Sequence, residues 1–445
     1  MRWRAVRPGL VVAFGVLVLA GCSWLPDEFG GSSKPPLPGE RISVLALEKS
    51  LEPDPRIADL EVRLPRPYVN TEWPQAGGYP NHAMYHLKLG DDLKRIWRSD
   101  IGAGSDSEER LPAAPVVADG KLFVMDSEAH VSGLNAETGE RLWRVSLTPA
   151  EFSSGALGGG VAYDHGRVYV TTGYGDVFCL DAATGKEVWK RGIGIPLRAA
   201  PTVEGNRVFA ISYDNQLHAL NLADGTVVWT FAGIAETAAL VGAASPAVDG
   251  GIVIAPFSSG ELVAMRADNG RVAWNDSLIR GVRASSVAGI NDISGRPVID
   301  RGRVIAIGHS GRMLAIDLRS GERIWEREVS GVQAPWVAGE FIYLVTEDAE
   351  VLCLSRRDGR IRWVRQIDRY ERPKAKKKPI SWYGPVLASD RLILVSSQGY
   401  AVSVSPYTGE VLGEIELSDD ASVAPIVAND TLYILTDDGY VAAYR

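Results

Sequence analysis

The stretch CLDAATGKEVW, residues 179–189, decides the fold, because close copies of it recur along the chain. Seven segments share a turn ending in glycine: NAETGERLW (135–143), DAATGKEVW (181–189), NLADGTVVW (221–229), RADNGRVAW (266–274), DLRSGERIW (317–325), SRRDGRIRW (355–363) and SPYTGEVLG (405–413). Their glycines, from Gly139 to Gly409, stand 38 to 51 residues apart. That interval is the length of one propeller blade. Upstream of each turn lie short alternating runs such as GRVYVTT and DVFCL, and no segment of the body holds a helical period for three turns. Further upstream, a proline often opens a strand, as in Ala114-Pro115, Ala200-Pro201 and Ala424-Pro425. Proline there forfeits no ladder hydrogen bond.

Each unit therefore reads as four short antiparallel strands, A to D, with the glycine in the hairpin between C and D. A hairpin loop of three to five residues commonly needs positive φ at one position, which glycine tolerates best. Seven full units run from about Leu111 to Leu417. An eighth begins at Val423 and stops at Arg445 without a D strand. The segment LKRIWRSDI (93–101) has Trp97 in the D-strand pattern and no A–C strands before it. Pairing the two fragments closes the ring, so the expected fold is all-β: an eight-bladed β-propeller over residues 93–445.

A second column tests this alignment. Ten residues before each tryptophan position stand Gly133, Cys179, Ala219, Ala264, Ala315, Cys353 and Ser403, with Ala443 in the last unit. All are small, as expected where a blade approaches its neighbour or a docked indole in a close-packed interior. Cys179 and Cys353 fall in units two and six, opposite each other in an eight-fold ring. Their Cα atoms cannot then come within the roughly 4.4–6.8 Å of a disulfide, and both read as small buried hydrophobes.

The N-terminus has another character. Arg2, Arg4 and Arg7 precede an apolar run from Leu10 to Leu19 that ends in Leu19-Ala20-Gly21-Cys22. This is the pattern of a secretory signal over residues 1–21, with about half of the roughly twenty apolar residues needed to span a bilayer. Leu-Ala-Gly-Cys also resembles a bacterial lipobox, which implies lipidation of Cys22; an ordinary signal peptide with Cys22 free is the alternative. Ser23, where an Asp would imply retention at the inner membrane, implies the outer membrane. Residues 22–39 are Gly/Ser/Pro-rich and read as a flexible tether. Residues 40–92, including TEWPQAGGYPNHAMYHL, carry no repeat and read as a partly ordered extension lying against the body. Without residues 1–21 the chain has 44 basic and 55 acidic residues, a charge of −11 with His neutral. That balance argues against a general nucleic-acid binder.

The pattern small-x-Asp/Asn-x-x-Thr-Gly-x-x-x-Trp resembles the tryptophan-docking motif of quinoprotein dehydrogenases; Asp181, Thr184, Gly185 and Trp189 match it in full. The resemblance implies that Trp97, Trp143, Trp189, Trp229, Trp274, Trp325 and Trp363 each pack against the next blade. Unit seven has Gly413 instead, which implies a weaker or differently filled seam. Those enzymes use a catalytic Asp, a calcium ion and often a Cys–Cys pair; this chain has no such pair. The six histidines are dispersed, with His82 and His86 the one pair four apart. GALGGG (155–160) reads as a loop before blade two, since no helix follows it. No catalytic residue, metal site or cofactor is expected.

With the lipobox and tether added, the chain resembles the BamB family of outer-membrane assembly lipoproteins. This implies a non-enzymatic scaffold that binds BamA POTRA domains and other BAM subunits, assists nascent outer-membrane proteins and is itself monomeric. The family's contact loops correspond to GIGIPLR (192–198) and NDIS (291–294). Ile195, Leu197 and Arg198 keep the first pattern, with an exposed Leu beside an Arg as the anchor. Asp292 keeps one acid of the second, where Ser294 replaces the other. RPKAKKKP (372–379) reads as a solvated loop, or as a contact for an acidic partner or anionic headgroups. A membrane-anchored quinoprotein and a propeller binding cell-wall glycan or another envelope protein are the alternatives.

Overall fold

The computed structural model describes residues 51–152, 157–236, 244–279 and 292–445. Eight four-stranded antiparallel sheets form an eight-bladed propeller. Blade 1 consists of Val116–Ala118, Lys121–Met125, His130–Asn135 and Arg141–Ser146, strands A to D in order. Blades 2 to 7 follow over 159–192, 202–232, 247–277, 298–327, 336–366 and 382–416. Blade 8 takes strands A to C from Ile426–Ala428, Thr431–Thr436 and Tyr440–Tyr444, and its D strand is Arg95–Asp100 from the other end of the chain. Lys94 and Arg445 exchange backbone hydrogen bonds of 3.0 Å at this closure. A strands of successive blades touch around the axis and D strands face outward.

The repeat motif acts in three places. Asn135, Asp181 and Asp317 each fold their carboxyl or amide oxygen back onto backbone N–H groups two or three residues on. This is the Asx turn that makes Asp and Asn suitable there. The following glycine has φ between +66° and +75° in all seven turns. In all seven complete blades the C–D ladder shifts register just after the small column, for instance between Cys179 and Leu180. A bulge bends its strand and re-aims a side chain. Here each tryptophan lies directly opposite its small residue, Trp143 opposite Gly133 and Trp189 opposite Cys179, and lays its ring over it. A Cβ on Gly133 would lie 2.5 Å from Trp143.

Each indole then reaches the next blade. Nε1 of Trp97, Trp143, Trp189, Trp229, Trp274, Trp325 and Trp363 donates to a carbonyl of the following blade's turn at 2.8–3.2 Å. The ring lies against that turn's glycine, where a Cβ on Gly225 would come 2.5 Å from Trp189. Burying a large flat side chain while satisfying its single donor is what a seam requires. Gly413 of blade 7 has no such contact. Cys179 and Cys353 are free and buried, and burial pushes the Cys179 thiol up to about 11.

Three expectations change in detail. Pro385 lies within the long first strand of blade 7, at a bulge, while the other six prolines stand one residue ahead of their strands. Gly159 and Gly160 of GALGGG start the first strand of blade 2. Tyr370–Arg372 and Lys377–Pro379 pair as a small exposed hairpin, so the basic segment is not an open loop.

The segment before the propeller lies deeper than an extension resting on the body would. Residues 70–87 visit the innermost strand of every blade in ring order. Asn429 donates to the Asn70 carbonyl in blade 8, and Trp73 pairs with Val117 in blade 1. Pro74 accepts from Tyr163 in blade 2, and the Gln75 amide bonds both backbone groups of Val203 in blade 3. Pro80 and Asn81 accept from Val248 and Ile299 in blades 4 and 5. Tyr85 accepts from the Trp336 indole in blade 6, and Leu87 bonds Leu387 and Ser389 in blade 7. The inner edge of each A strand is a row of unpaired backbone groups. This strap supplies partners to backbone groups in seven blades and to the Trp336 indole in blade 6.

Candidate functional site

Connections from strand D to the next strand A, together with the B–C turns, form the face opposite the strap. GIGIPLR belongs to it, between blades 2 and 3. Its backbone is fastened: Leu197 N donates to Thr172 O at 3.2 Å and Arg198 N to Ile211 O at 2.9 Å. Leu197 is 0 % exposed and packs with Tyr169, Val177 and Trp189. The expected exposed anchor is thus a core residue, since the loop folds inward to meet two blades. Arg198 is also buried, at 2 % exposure.

The Arg198 guanidinium donates to Asp292 Oδ2 at 2.7 Å, and both side chains are excluded from solvent. It also approaches Asn215 Oδ1 at 3.5 Å and the face of Tyr213 at 5.6 Å. Asn215 sits in the left-handed region at φ +59° and accepts from Ser258 N and Oγ. Its amide donates to Ile234 O at 2.7 Å. One ion pair therefore ties the start of blade 3, the B–C turns of blades 3 and 4, and the approach to blade 5. Burying both charges is tolerable only because they meet with hydrogen bonds around them. The structure brings Arg198 and Asp292 together, as members of an internal brace.

What this face offers to solvent is different. Ile195 is half-buried at the rim of the same loop. Phe152 is 52 % exposed and lies 5.0 Å from the Tyr174 ring. Tyr174 adjoins Gly175, where a Cβ would come 2.9 Å from the Ile195 backbone. Ile234, 60 % exposed, hangs from Asn215 on the other side of the brace. Sequence reasoning missed Phe152, Tyr174 and Ile234 because they lie in connections without a repeat; single apolar residues in such loops carry no periodic signal.

The His82, His86 and Ser212 side chains are engaged within the fold. His82 Nδ1 donates to Pro297 O, and burial holds its imidazole at about 3, far below the ordinary value. His86 Nδ1 faces Pro65 O, and its Nε2 accepts from Asp390 N at 3.0 Å. The two rings thus serve separate blades. Ser212, Asp214 and His218 meet in blade 3, but the Ser212 hydroxyl is fully buried and bonds Asp214. Among the described residues no group of three or more His, Cys, Asp or Glu could hold a metal ion. No helix there is long and apolar enough to cross a membrane. Cys22, the rest of residues 1–50 and Asn291 lie outside the described residues.

A family model described as outer membrane protein assembly factor BamB matches residues 88–157 and 127–365. The BamB of Yersinia pestis is 29% identical over 245 residues, covering 55% of this chain and 60% of that protein. The BamB of Escherichia coli (strain K12) is 28% identical over 286 residues, covering 55% of this chain and 71% of that protein. The chain thus spans 60% of the Yersinia relative's length. In shape it is similar to the crystal structure of BamB from Moraxella catarrhalis, with TM-score 0.66, 19% identity, and 80% and 100% of the two chains covered. It is also similar to a quinohemoprotein alcohol dehydrogenase from Comamonas testosteroni, with TM-score 0.63, 14% identity, and 84% and 80% covered. At such identities the two solved structures speak to the fold alone.

Proposed function

The chain belongs to the BamB family of outer membrane protein assembly factors, and from that premise we propose that it is a non-enzymatic scaffold of β-barrel assembly. In this reading it binds the POTRA domains of BamA, assists insertion of nascent barrel proteins, and is held at the periplasmic face of the outer membrane by lipid on Cys22. The observation that carries the docking surface is the braced loop face. Ile234 and Phe152 stand exposed there, Ile195 and Tyr174 are half-buried, and the Arg198–Asp292 brace with Asn215 fastens the connections that carry Ile195 and Ile234. A preorganised apolar rim loses little entropy on docking, and Ile195 remains a contact while Leu197, Arg198 and Asp292 position it.

Pull-down with BamA POTRA domains tests this. Ile195→Asp combined with Ile234→Asp is expected to weaken binding at least about tenfold, a loss ordinary for interface anchors, with an unchanged melting temperature. Wild-type binding by that variant would remove the face from the proposal. Arg198→Glu is expected to fail differently. It sets a second carboxylate against buried Asp292 and should cost about 3–5 kcal/mol of folding stability, read by denaturant unfolding.

A further inference from the structure

Inside the ring, on the loop-face side of the strap, lies an open cup of about 390 Å³ whose lining includes Ala76 of the strap. That volume is in the range of small-ligand sites. Its wall is part apolar, with Ala113, Ala200, Ala334 and Ala424, and part polar, with Ser245, Gln333 and Ser422. Against this wall stand Ser294 and Arg296, two residues apart on the approach to blade 5. The Arg296 Nε and the Ser294 Oγ are enclosed and make no hydrogen bond. Among the described residues no carboxylate pairs with Arg296, and burial alone lowers its guanidinium to about 10, so it stays cationic at neutral pH. The acid in the lining, Glu347, is taken by His309 at 2.5 Å.

An enclosed donor without an acceptor costs free energy, and a half-buried charge without a partner adds to that cost. The buried cations of this protein meet that demand internally, Arg198 with Asp292 and Arg356 with Asp300, whereas Arg296 is half-buried with its Nε enclosed. We propose that the axial cup binds a carboxylate, with Arg296 as the charge partner and the Ser294 hydroxyl as a second donor. The planar guanidinium fits a carboxylate with two parallel hydrogen bonds. The carboxylate belongs to a small organic acid or to the C-terminus of a short peptide, since the alanines offer apolar contact and the other charged groups of the lining, His309 and Glu347, are paired with each other. The inference does not depend on the docking face.

Thermal unfolding and titration calorimetry of the full chain at constant ionic strength test it. The probes are succinate, Ala-Ala-Ala with a free C-terminus, the same tripeptide amidated, and sodium chloride as control. Saturable binding of succinate or the free tripeptide, with none by the amide or chloride, is the expected result, and which of the two binds identifies the source. Arg296→Gln should weaken that binding at least about tenfold. Its ligand-free melting temperature should be unchanged or higher, because an uncompensated cation has been removed. Should Arg296→Gln fail to fold, the side chain is structural and the proposal is overturned, unless Ser294→Ala, folded as wild type, still shows severalfold weaker binding. No saturable response to either carboxylate, or an equal response in Arg296→Gln, overturns it outright.

Discussion

Seven seams of the ring are sealed by an indole, and the eighth is sealed by the chain itself. In the seven, a bulged D strand throws its tryptophan onto the next blade's turn, where a left-handed glycine makes room. Between blades 7 and 8 both halves of that joint are missing together. Blade 7 has Gly413, and blade 8 has no C–D turn because its C and D strands come from opposite ends of the chain. Residues 89–94 cross this seam instead. Leu89 N donates to Ser389 Oγ, Arg391 bonds the carbonyls of Gly90 and Asp91, and Lys94 pairs with Arg445. Leu87, Leu89 and Leu93 join the hydrophobic cluster shared by blades 7, 8 and 1. A docked indole and a ring closure are alternative ways to fill one site, and a tryptophan at 413 would find no turn to receive it.

The sharpest break of this contrast is Trp274→Ala. The indole is 8 % exposed and its N–H bonds Leu318 O at 2.8 Å, so truncation should cost about 3–5 kcal/mol in denaturant unfolding. Position 413 should respond in the opposite sense. A Cβ there meets nothing within 4 Å, and its backbone lies outside the left-handed region. Gly413→Ala should therefore stabilise by about 0.5–1 kcal/mol through reduced chain entropy. A loss at 413 matching that at 274 would show that the eighth seam resembles the rest.

The smallest effect concerns the clamp beside the closure. Arg445 holds the Glu137 carboxyl below its ordinary value of 4.5, chiefly by a side-chain hydrogen bond. A depressed carboxylate contributes stability above its unfolded value and loses it as pH falls through the folded one. Glu137→Gln should lower stability by at most about 1 kcal/mol near neutrality, with no difference from wild type once pH is well below 4.5. Melting temperatures across pH 2.5–7, on the order of the carboxylate range, check this.

How far each feature could be read depends on where its partners lie. The blade count, the closure through LKRIWRSDI and the pairing of small residue with tryptophan follow from local order. The Asx turn, the glycine and the bulge are set within a dozen residues and repeat. The docking loop was legible only as a location. Leu197 and Arg198 look like any exposed Leu-Arg pair until Asp292, ninety-four residues later, shows where the guanidinium goes. Arg296 is the reverse case: its significance is that nothing arrives.

By itself, then, the sequence determined the repeating unit, the number of blades and the way the ring closes, because those rest on turn chemistry and period. Tertiary structure alone decided the path of the strap, the burial of the Arg198–Asp292 brace and the unpaired cation in the cup. The strap bonds mainly to backbone groups of the inner strand edges, which any sequence presents, so no residue pattern announces it. Burial of Arg198 and the placement of Arg296 are settled by loops that meet only when the ring is closed.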